Sequence, residues 1–473
     1  MAAYSERLSA LDRFFLDCEG ETTPMHIGAA CRFAHAGDRL DAESLRRHIA
    51  SRLDLVPRYR QRIAAVPLEN HPVWIDDDRF DIARHVRAVS LPAPAGEAEL
   101  EEMLSWIFSQ PLPRTRPLWE IWLIEGLDGG EVVLACKTHH CLADGLGGAA
   151  LLAAILSDAP FDDASAPPAW SPRPAPSGVE MILGAASFRL RGAGSILRRF
   201  VQQTLASPKS LLAETGRLAS TVGEVLSKAW TPLTATAFAD PSCASRRLIS
   251  WTASLADLRA IGRHHGATIN DVVLTLVAEA FARCTDLRGD GETVRAYCPV
   301  GAGASASVLA LGNRVAGMLV DLPVGGAEVG ERLRAVAAIT RAQKKSGEVE
   351  GTLLVEELAG VLAPSLLANV EWLSGQRPVF HLIVTNVPGP PEALYLFGRR
   401  MTSAIPLVPL FHGQGLGIAV FSYDGQVGWG FHADSACAPA ASRLRDAVAA
   451  AFTDLARSAG VAASTGPRID IAA

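Results

Sequence analysis

Apolar and polar positions alternate along this chain in two rhythms, a period near two and a period near 3.6, and the two take turns from end to end. Leu8 to Leu16 has helical spacing with Ser9 placed to cap it, and a turn through Pro24 leads into a strand that ends at Phe33. Leu45, Ile49 and Leu53 share one face of a helix over 41–53, as do Leu100, Leu104, Ile107 and Phe108 over 97–108. Residues 73–75 and 80–89 read as a strand and its irregular sequel. A proline-punctuated loop from Pro111 leads to a strand over 121–126. The Asp128-Gly129-Gly130 turn then joins it to a buried strand over 131–136. An apolar helix opened by glycines is expected over 146–156.

The second half repeats the rhythm. Strands are expected over 247–252, 294–300 and 316–322, with a Gly/Ala/Ser-rich mobile loop at 301–311 between the last two. Ser254 opens a helix that runs to 264, and Thr268 caps a largely apolar, hence buried, helix over 269–281. Further helices fit 331–345, 353–374 and 440–457. A buried strand ending in a rigid turn fits 380–390, and a hairpin fits 415–433 around Tyr423-Asp424-Gly425. Between the halves, 159–176 changes to Pro, Ala, Ser and Asp, which marks a linker. Residues 178–229 place Leu, Ile and Phe at helical spacing among Arg189, Arg191, Arg198 and Arg199. Such a segment fits a bridging helix packed on its own protein or one lying on an anionic lipid surface. The expected division is therefore 1–160, a linker with basic helices over 161–240, and 241–473, an α/β fold in two units.

Composition narrows the function classes. With 473 residues the chain exceeds one ordinary core, and 49% hydrophobic against 20% charged residues is a globular balance. The formal charge of −6 carries no overall footprint for nucleic acid. The eight cysteines include no Cys-x-x-Cys pair, no run reaches the roughly 20 apolar residues of a membrane span, and the first residues lack an apolar signal core. A soluble protein of a reducing, intracellular compartment is the expectation.

The candidate chemistry lies where a strand ends and a helix begins, at His139-His140-Cys141-Leu142-Ala143-Asp144-Gly145. Imidazole titrates near neutrality and can take a proton from a weak nucleophile. Asp144 can hold the turn or orient a ring, and Gly145 permits backbone geometry that a Cβ forbids. Two other readings stand beside catalysis: a hydrogen-bonded pair in a packed interior, and a metal site. The zinc-protease spacing of two histidines four apart around a glutamate is missing. His26 reads as a structural strand residue. Arg114, Arg116 and Trp119 before the strand could guide an anionic or acyl ligand, or merely lead into a hairpin.

Several stretches then line up in order: Leu11-Asp12 through Thr23-Pro24-Met25-His26-Ile27-Gly28, Pro117-Leu118-Trp119-Glu120, and the histidine motif. Gly266 to Leu274 with Asn270-Asp271, Leu311-Gly312-Asn313-Arg314-Val315 and Asn386-Val387-Pro388-Gly389-Pro390 follow. Together they resemble the bacterial wax ester synthase/diacylglycerol acyltransferase family. That family is a branch of the CoA-dependent acyltransferases carrying His-His-x-x-x-Asp-Gly, alongside chloramphenicol acetyltransferases and peptide-synthetase condensation domains. The resemblance covers nearly the whole chain. It implies two chloramphenicol-acetyltransferase-like α/β domains with mixed sheets, a helical linker, and a substrate channel between the domains. It implies transfer of a fatty acyl group from acyl-CoA, a co-substrate rather than a cofactor, to a long-chain alcohol or diacylglycerol, without an acyl-enzyme or a metal. His140 would be the general base and His139 its structural partner. Asp144 would pair with an arginine to fix the motif loop. Pro117, Leu118 and Trp119 would shape the substrate channel, with Asn270 and Asp271 as polar contacts near the reaction centre. A cytoplasmic enzyme attached peripherally to the inner membrane face or to lipid droplets would follow. One departure stands out: after Pro299-Val300 the chain runs into Gly301-Ala302-Gly303-Ala304-Ser305 where typical members have a Ser-Val-Arg type sequence. That arginine contact cannot be carried over. The alternatives are a condensation-type enzyme using carrier-protein thioesters, a noncatalytic lipid-droplet protein and, more distantly, a zinc hydrolase.

Overall fold

The computed structural model describes residues 3–462, except 38–39, 70, 143–151, 161–168, 207–215, 217–222, 224–226, 228–230, 232, 240–242, 302–314 and 346–377. The expected mobile loop at 301–311 and the expected helix over 353–374 lie almost wholly or wholly outside the described residues.

The first half contributes α1 (Ala10–Cys18), α2 (Ala42–Arg52) and α3 (Glu97–Ser109). Its strands are β1 (Glu6–Arg7), β2 (His26–Phe33), β3 (Gln61–Ala64), β4 (Val73–Asp76), β5 (Val86–Ser90), β6 (Trp119–Glu125) and β7 (Val132–His139). The long helix α4 (Gly178–Ala206) leads to the second half, with β8 (Arg246–Ser254), α5 (Leu255–His265), α6 (Ile269–Arg283), β9 (Thr293–Gly301) and β10 (Val315–Pro323). Then come α7 (Val329–Lys345), β11 (Leu382–Pro388), β12 (Tyr395–Leu396), β13 (Arg399–Leu407), β14 (Leu416–Tyr423), β15 (Gln426–Asp434) and α8 (Ala438–Ser458). The caps read from sequence hold locally. Ser9 and Thr268 each accept the backbone N–H three residues on, while Asp12 and Asp271 reach back to the cap, so both helices start on reciprocal capping boxes.

Two mixed six-stranded sheets result, ordered β12-β13-β2-β7-β6-β5 and β10-β9-β11-β14-β15-β8, with a small β1-β4-β3 sheet beside the first. The division between halves is not clean. β13, from the second half of the chain, pairs antiparallel with β2 and completes the sheet that carries the histidines. The sheets touch where β13 crosses β15. A Cβ at Gly428 would lie 2.2 Å from the Ala404 carbonyl oxygen and one at Gly430 1.9 Å from that of Pro406, so glycine is what permits this approach. Across the same seam α3 lays Leu104, Ile107 and Phe108 against Leu248, Ile405 and Leu407. Arg246 fastens it: its backbone N–H donates to Ser109 Oγ, and its buried guanidinium donates to the Thr22 carbonyl and pairs with Asp434 at 3.4 Å.

Candidate active site

β7 is buried along its whole length between β2 and β6, and its last residue is His139. The histidine pair is held by backbone first. The His139 N–H donates to the Leu118 carbonyl at 2.9 Å and the His140 N–H to the Met25 carbonyl at 2.8 Å, one bond to each flanking segment. The two rings then meet different fates. His139 has no exposed surface. Its Nδ1 accepts the Cys141 N–H at 3.1 Å, and its Nε2 lies 3.3 Å from Glu19 Oε1. An accepting Nδ1 leaves the ring proton on Nε2, facing the carboxylate, so both nitrogens are committed to holding the turn. The His140 ring keeps part of its surface open and stacks on Phe15 with centroids 3.8 Å apart and planes 12° from parallel.

Glu19 is the residue that sequence reasoning missed. It ends α1, and its Oε2 takes two hydrogen bonds from Arg114, at 2.9 Å from Nε and 2.7 Å from Nη2. Arg114 also caps the helix by donating to the Leu16 carbonyl at 2.8 Å. Burial alone would raise the Glu19 carboxyl, but His139 and then Arg114 outweigh it by hydrogen bonding and charge and hold it at about 2. A carboxylate at the negative end of a helix is unfavourable by itself, and that misplacement was a readable signal that a cation must come to it from elsewhere.

Lys137 lies two residues before His139, its side chain fully buried. It donates to the Ile107 and Gln110 carbonyls, both at 2.9 Å, and approaches Glu120 at 3.5 Å, tying the end of α3 to the histidine strand. Burial lowers it to about 8 against the pull of Glu120. His26, opposite His139 in the strand register, is pushed well below its ordinary value by burial and then by Lys137, and it stays neutral in the core. That is the structural strand residue expected.

Other expectations need correction. Pro117, Leu118 and Trp119 are buried, the last two with no exposed surface. Trp119 donates to the Tyr59 carbonyl at 2.8 Å and stacks on His85, so its side chain serves the core rather than a substrate, and Leu118 reaches the motif through its carbonyl. Arg114 and Arg116 do not await an anion. They clamp Glu19 and Glu120. Asp271 is spent on the α6 cap and on Thr340, whose hydroxyl donates to it at 2.6 Å. Asn270 is half-buried in the first turn of α6. Asp144 and Gly145 lie outside the described residues. Among the described residues, no three His, Cys, Asp or Glu side chains gather as a metal-ion cluster.

Two family models match the chain, the wax ester synthase/diacylglycerol acyltransferase catalytic domain over residues 8–273 and the WS/DGAT C-terminal domain over 311–456. The chain is 30% identical over 438 residues, 90% of each protein, to "Probable diacyglycerol O-acyltransferase tgs1" of Mycobacterium tuberculosis. Its fold is similar to that of a wax ester synthase/diacylglycerol acyltransferase from Marinobacter aquaeolei VT8, with TM-score 0.67 and 23% identity over 96% of this chain and 100% of that one. The first condensation domain of the calcium-dependent antibiotic synthetase is also similar, with TM-score 0.62 and 15% identity over 97% of both. At such identities these structures speak for the fold alone, and the fold is the expected one of two sheet-centred α/β halves.

Proposed function

Because this chain belongs to the wax ester synthase/diacylglycerol acyltransferase family and is an acyltransferase, we propose that His140 is the general base for direct transfer of an acyl group from acyl-CoA to the hydroxyl of a long-chain alcohol or diacylglycerol. The observation behind this is the contrast between the two rings. His139 is sealed, with Nδ1 accepting the Cys141 N–H and Nε2 facing Glu19, whereas His140 follows it at the strand end with part of its surface open. In this reaction the acceptor oxygen attacks the thioester carbonyl while His140 removes its proton. The tetrahedral centre then collapses, the C–S bond breaks, and His140 returns the proton to the departing sulfur. No acyl-enzyme forms. A positioned base supplies about 10² to 10⁴ in rate, so alignment and oxyanion stabilisation carry the rest. Asp144 and Gly145, which lie outside the described residues, are assigned a supporting part in the motif rather than a chemical one. Asn270 is a polar contact near the reaction centre.

The test is free-thiol release from palmitoyl-CoA with hexadecanol, dioleoylglycerol or no acceptor, in wild type and His140→Ala. Acceptor-dependent release that the variant loses is the expected result. Release without acceptor would make the protein a thioesterase, and no release from folded protein would overturn the proposal.

Lipid acceptors reside at interfaces, and α4 offers a surface for one. Its Met181, Ile182 and Ala185 pack on Val66, Val73 and Ile75. A second stripe of Val179, Leu183 and Leu190, at helical spacing, is 67, 63 and 76% exposed. Exposed Arg191 and Arg198 flank it, and fully exposed Leu68 stands on the neighbouring β3–β4 loop. The helix thus packs on its own protein with one face and presents apolar and basic side chains with another, the composition of an element that lies on an anionic lipid surface. Among the described residues no helix is long and apolar enough to cross a membrane. Flotation with anionic liposomes should be lost when Leu183 and Leu190 are both changed to Ser; undiminished flotation would rule this surface out.

A further inference from the structure

One helix, α1, meets both histidines of the pair. Phe15 lies within it and Glu19 at its C-cap, four residues on, so the two side chains reach out on the same side. Glu19 Oε1 lies 3.3 Å from His139 Nε2, and the Phe15 ring lies 3.8 Å from that of His140 with planes 12° apart. The two contacts differ in kind. The carboxylate engages a nitrogen of His139, whereas the phenyl ring covers a face of His140.

For a base that difference has a chemical consequence. The nitrogens of imidazole give and take protons at the edge of the ring, in its plane. A hydrogen-bond partner that orients the ring occupies one of those two nitrogens. A stacked ring restrains the tilt of the plane and occupies neither. A general base must stand within hydrogen-bond reach of the hydroxyl it deprotonates, and a misplacement of about 1 Å costs on the order of a hundredfold in rate.

Phe15 is itself firmly seated. α1 starts on the Ser9–Asp12 capping box and ends on Arg114, which holds the Leu16 carbonyl and Glu19. Between these ends Phe15 is buried in one core cluster with Leu16 and Met25. Phe14 lies edge-on to it at 5.6 Å, and Phe411, in the connection between β13 and β14, lies 6.3 Å away. The Met25 carbonyl takes the His140 N–H, so the same cluster holds this histidine by backbone and by ring.

We propose that Phe15 is a positioning residue for acyl transfer: stacked on His140, it fixes the plane in which the base meets the acceptor hydroxyl. The inference rests on the acyl-transfer reading above and adds a residue outside the histidine motif. A fault in the plane of the base slows the chemical step and so lowers kcat. A side chain that merely lined the path of a substrate would show in KM instead.

The experiment measures kcat and KM for palmitoyl-CoA with saturating hexadecanol. Wild type, Phe15→Leu, Phe15→Met and Phe15→Tyr are compared, each with His140 intact and in the His140→Ala background. Leu and Met fill the space without a flat face, and having both guards against one variant failing to fold. Tyr restores the face. The expected result is a kcat about tenfold lower in Phe15→Leu and Phe15→Met, KM changed by less than about twofold, and most of kcat regained in Phe15→Tyr. In the His140→Ala background these substitutions should cost nothing further, because the ring they orient is gone. A rise in KM at unchanged kcat, or the same fractional loss with and without the His140 ring, would overturn the proposal. A second readout needs no substrate. The His140 ring protons, assigned by comparison of NMR spectra with His140→Ala, should lie upfield in wild type and Phe15→Tyr and move back in Phe15→Leu. Unmoved resonances alongside normal transfer would overturn the part given to Phe15 alone. Absence of transfer in wild type would overturn the catalytic reading and this one with it.

Discussion

The two six-stranded sheets bury different things. The second sheet encloses Trp251 opposite Trp429 in register, with Phe431, Phe452 and a large set of Val, Leu and Ala side chains around them. The sheet of the first half is apolar over most of its area, yet at the end of β7 it encloses Lys137, Glu120, His139 and His26, with Glu19 and Arg114 at its rim. Charges are costly to bury, and this end of the sheet keeps them only because each meets a partner. The second sheet buries charge as well, Arg246 against Asp434, but that pair fastens the seam between the sheets, whereas the polar network at the end of β7 surrounds the histidine motif.

If that division is right, the halves should fail in different ways. Trp429→Ala should cost about 3–5 kcal/mol of stability, read as a lowered denaturation midpoint, while turnover per folded molecule changes little. A variant that stays stable but loses turnover would blur the distinction. Glu19→Gln should do the reverse, lowering kcat/KM about tenfold, the order of one charge-assisted hydrogen bond. Its stability deficit has a defined pH dependence. The Glu19 carboxyl lies at about 2 against an ordinary 4.5, so its contribution is full above pH 4.5 and is lost as the pH falls toward 2. Denaturation curves of wild type and variant should therefore converge on acidification. The smallest effect concerns Lys137, lowered to about 8 from an ordinary 10.5. Between these values the unfolded chain binds more protons than the native one, so this group makes stability rise with pH across that window. Lys137→Met should flatten that rise, and an unchanged slope would show that the amine is not the group responsible.

Local order was legible in the sequence because local rules made it. The Ser9, Ser254 and Thr268 caps, the strand ending at the histidines and the hairpin around Asp424-Gly425 all follow from spacing and turn chemistry within a few residues. The order of motifs named the family. What stayed hidden was every pairing across a long separation: Glu19 with His139, β13 with β2, Phe15 with Phe411. Periodicity says which face of an element is apolar, not which distant segment covers it. Trp119 shows the same limit from the other side. A tryptophan in a proline-rich lead-in looks like a ligand contact, and only the neighbours Tyr59 and His85, brought by segments distant along the chain, show it to be core.

The pairing of β13 with β2 sets a schedule for the ribosome. β2 and β7 are both made by residue 139, but the strand that covers the open side of β2 begins about 260 residues later. At about 5–20 residues per second, the nascent sheet waits roughly 13 to 50 seconds with an unpaired edge beside its histidines. Open edges invite pairing with other chains. Expression yield for this protein should therefore depend on translation speed between the two halves and on chaperones that shield that edge until β13 arrives.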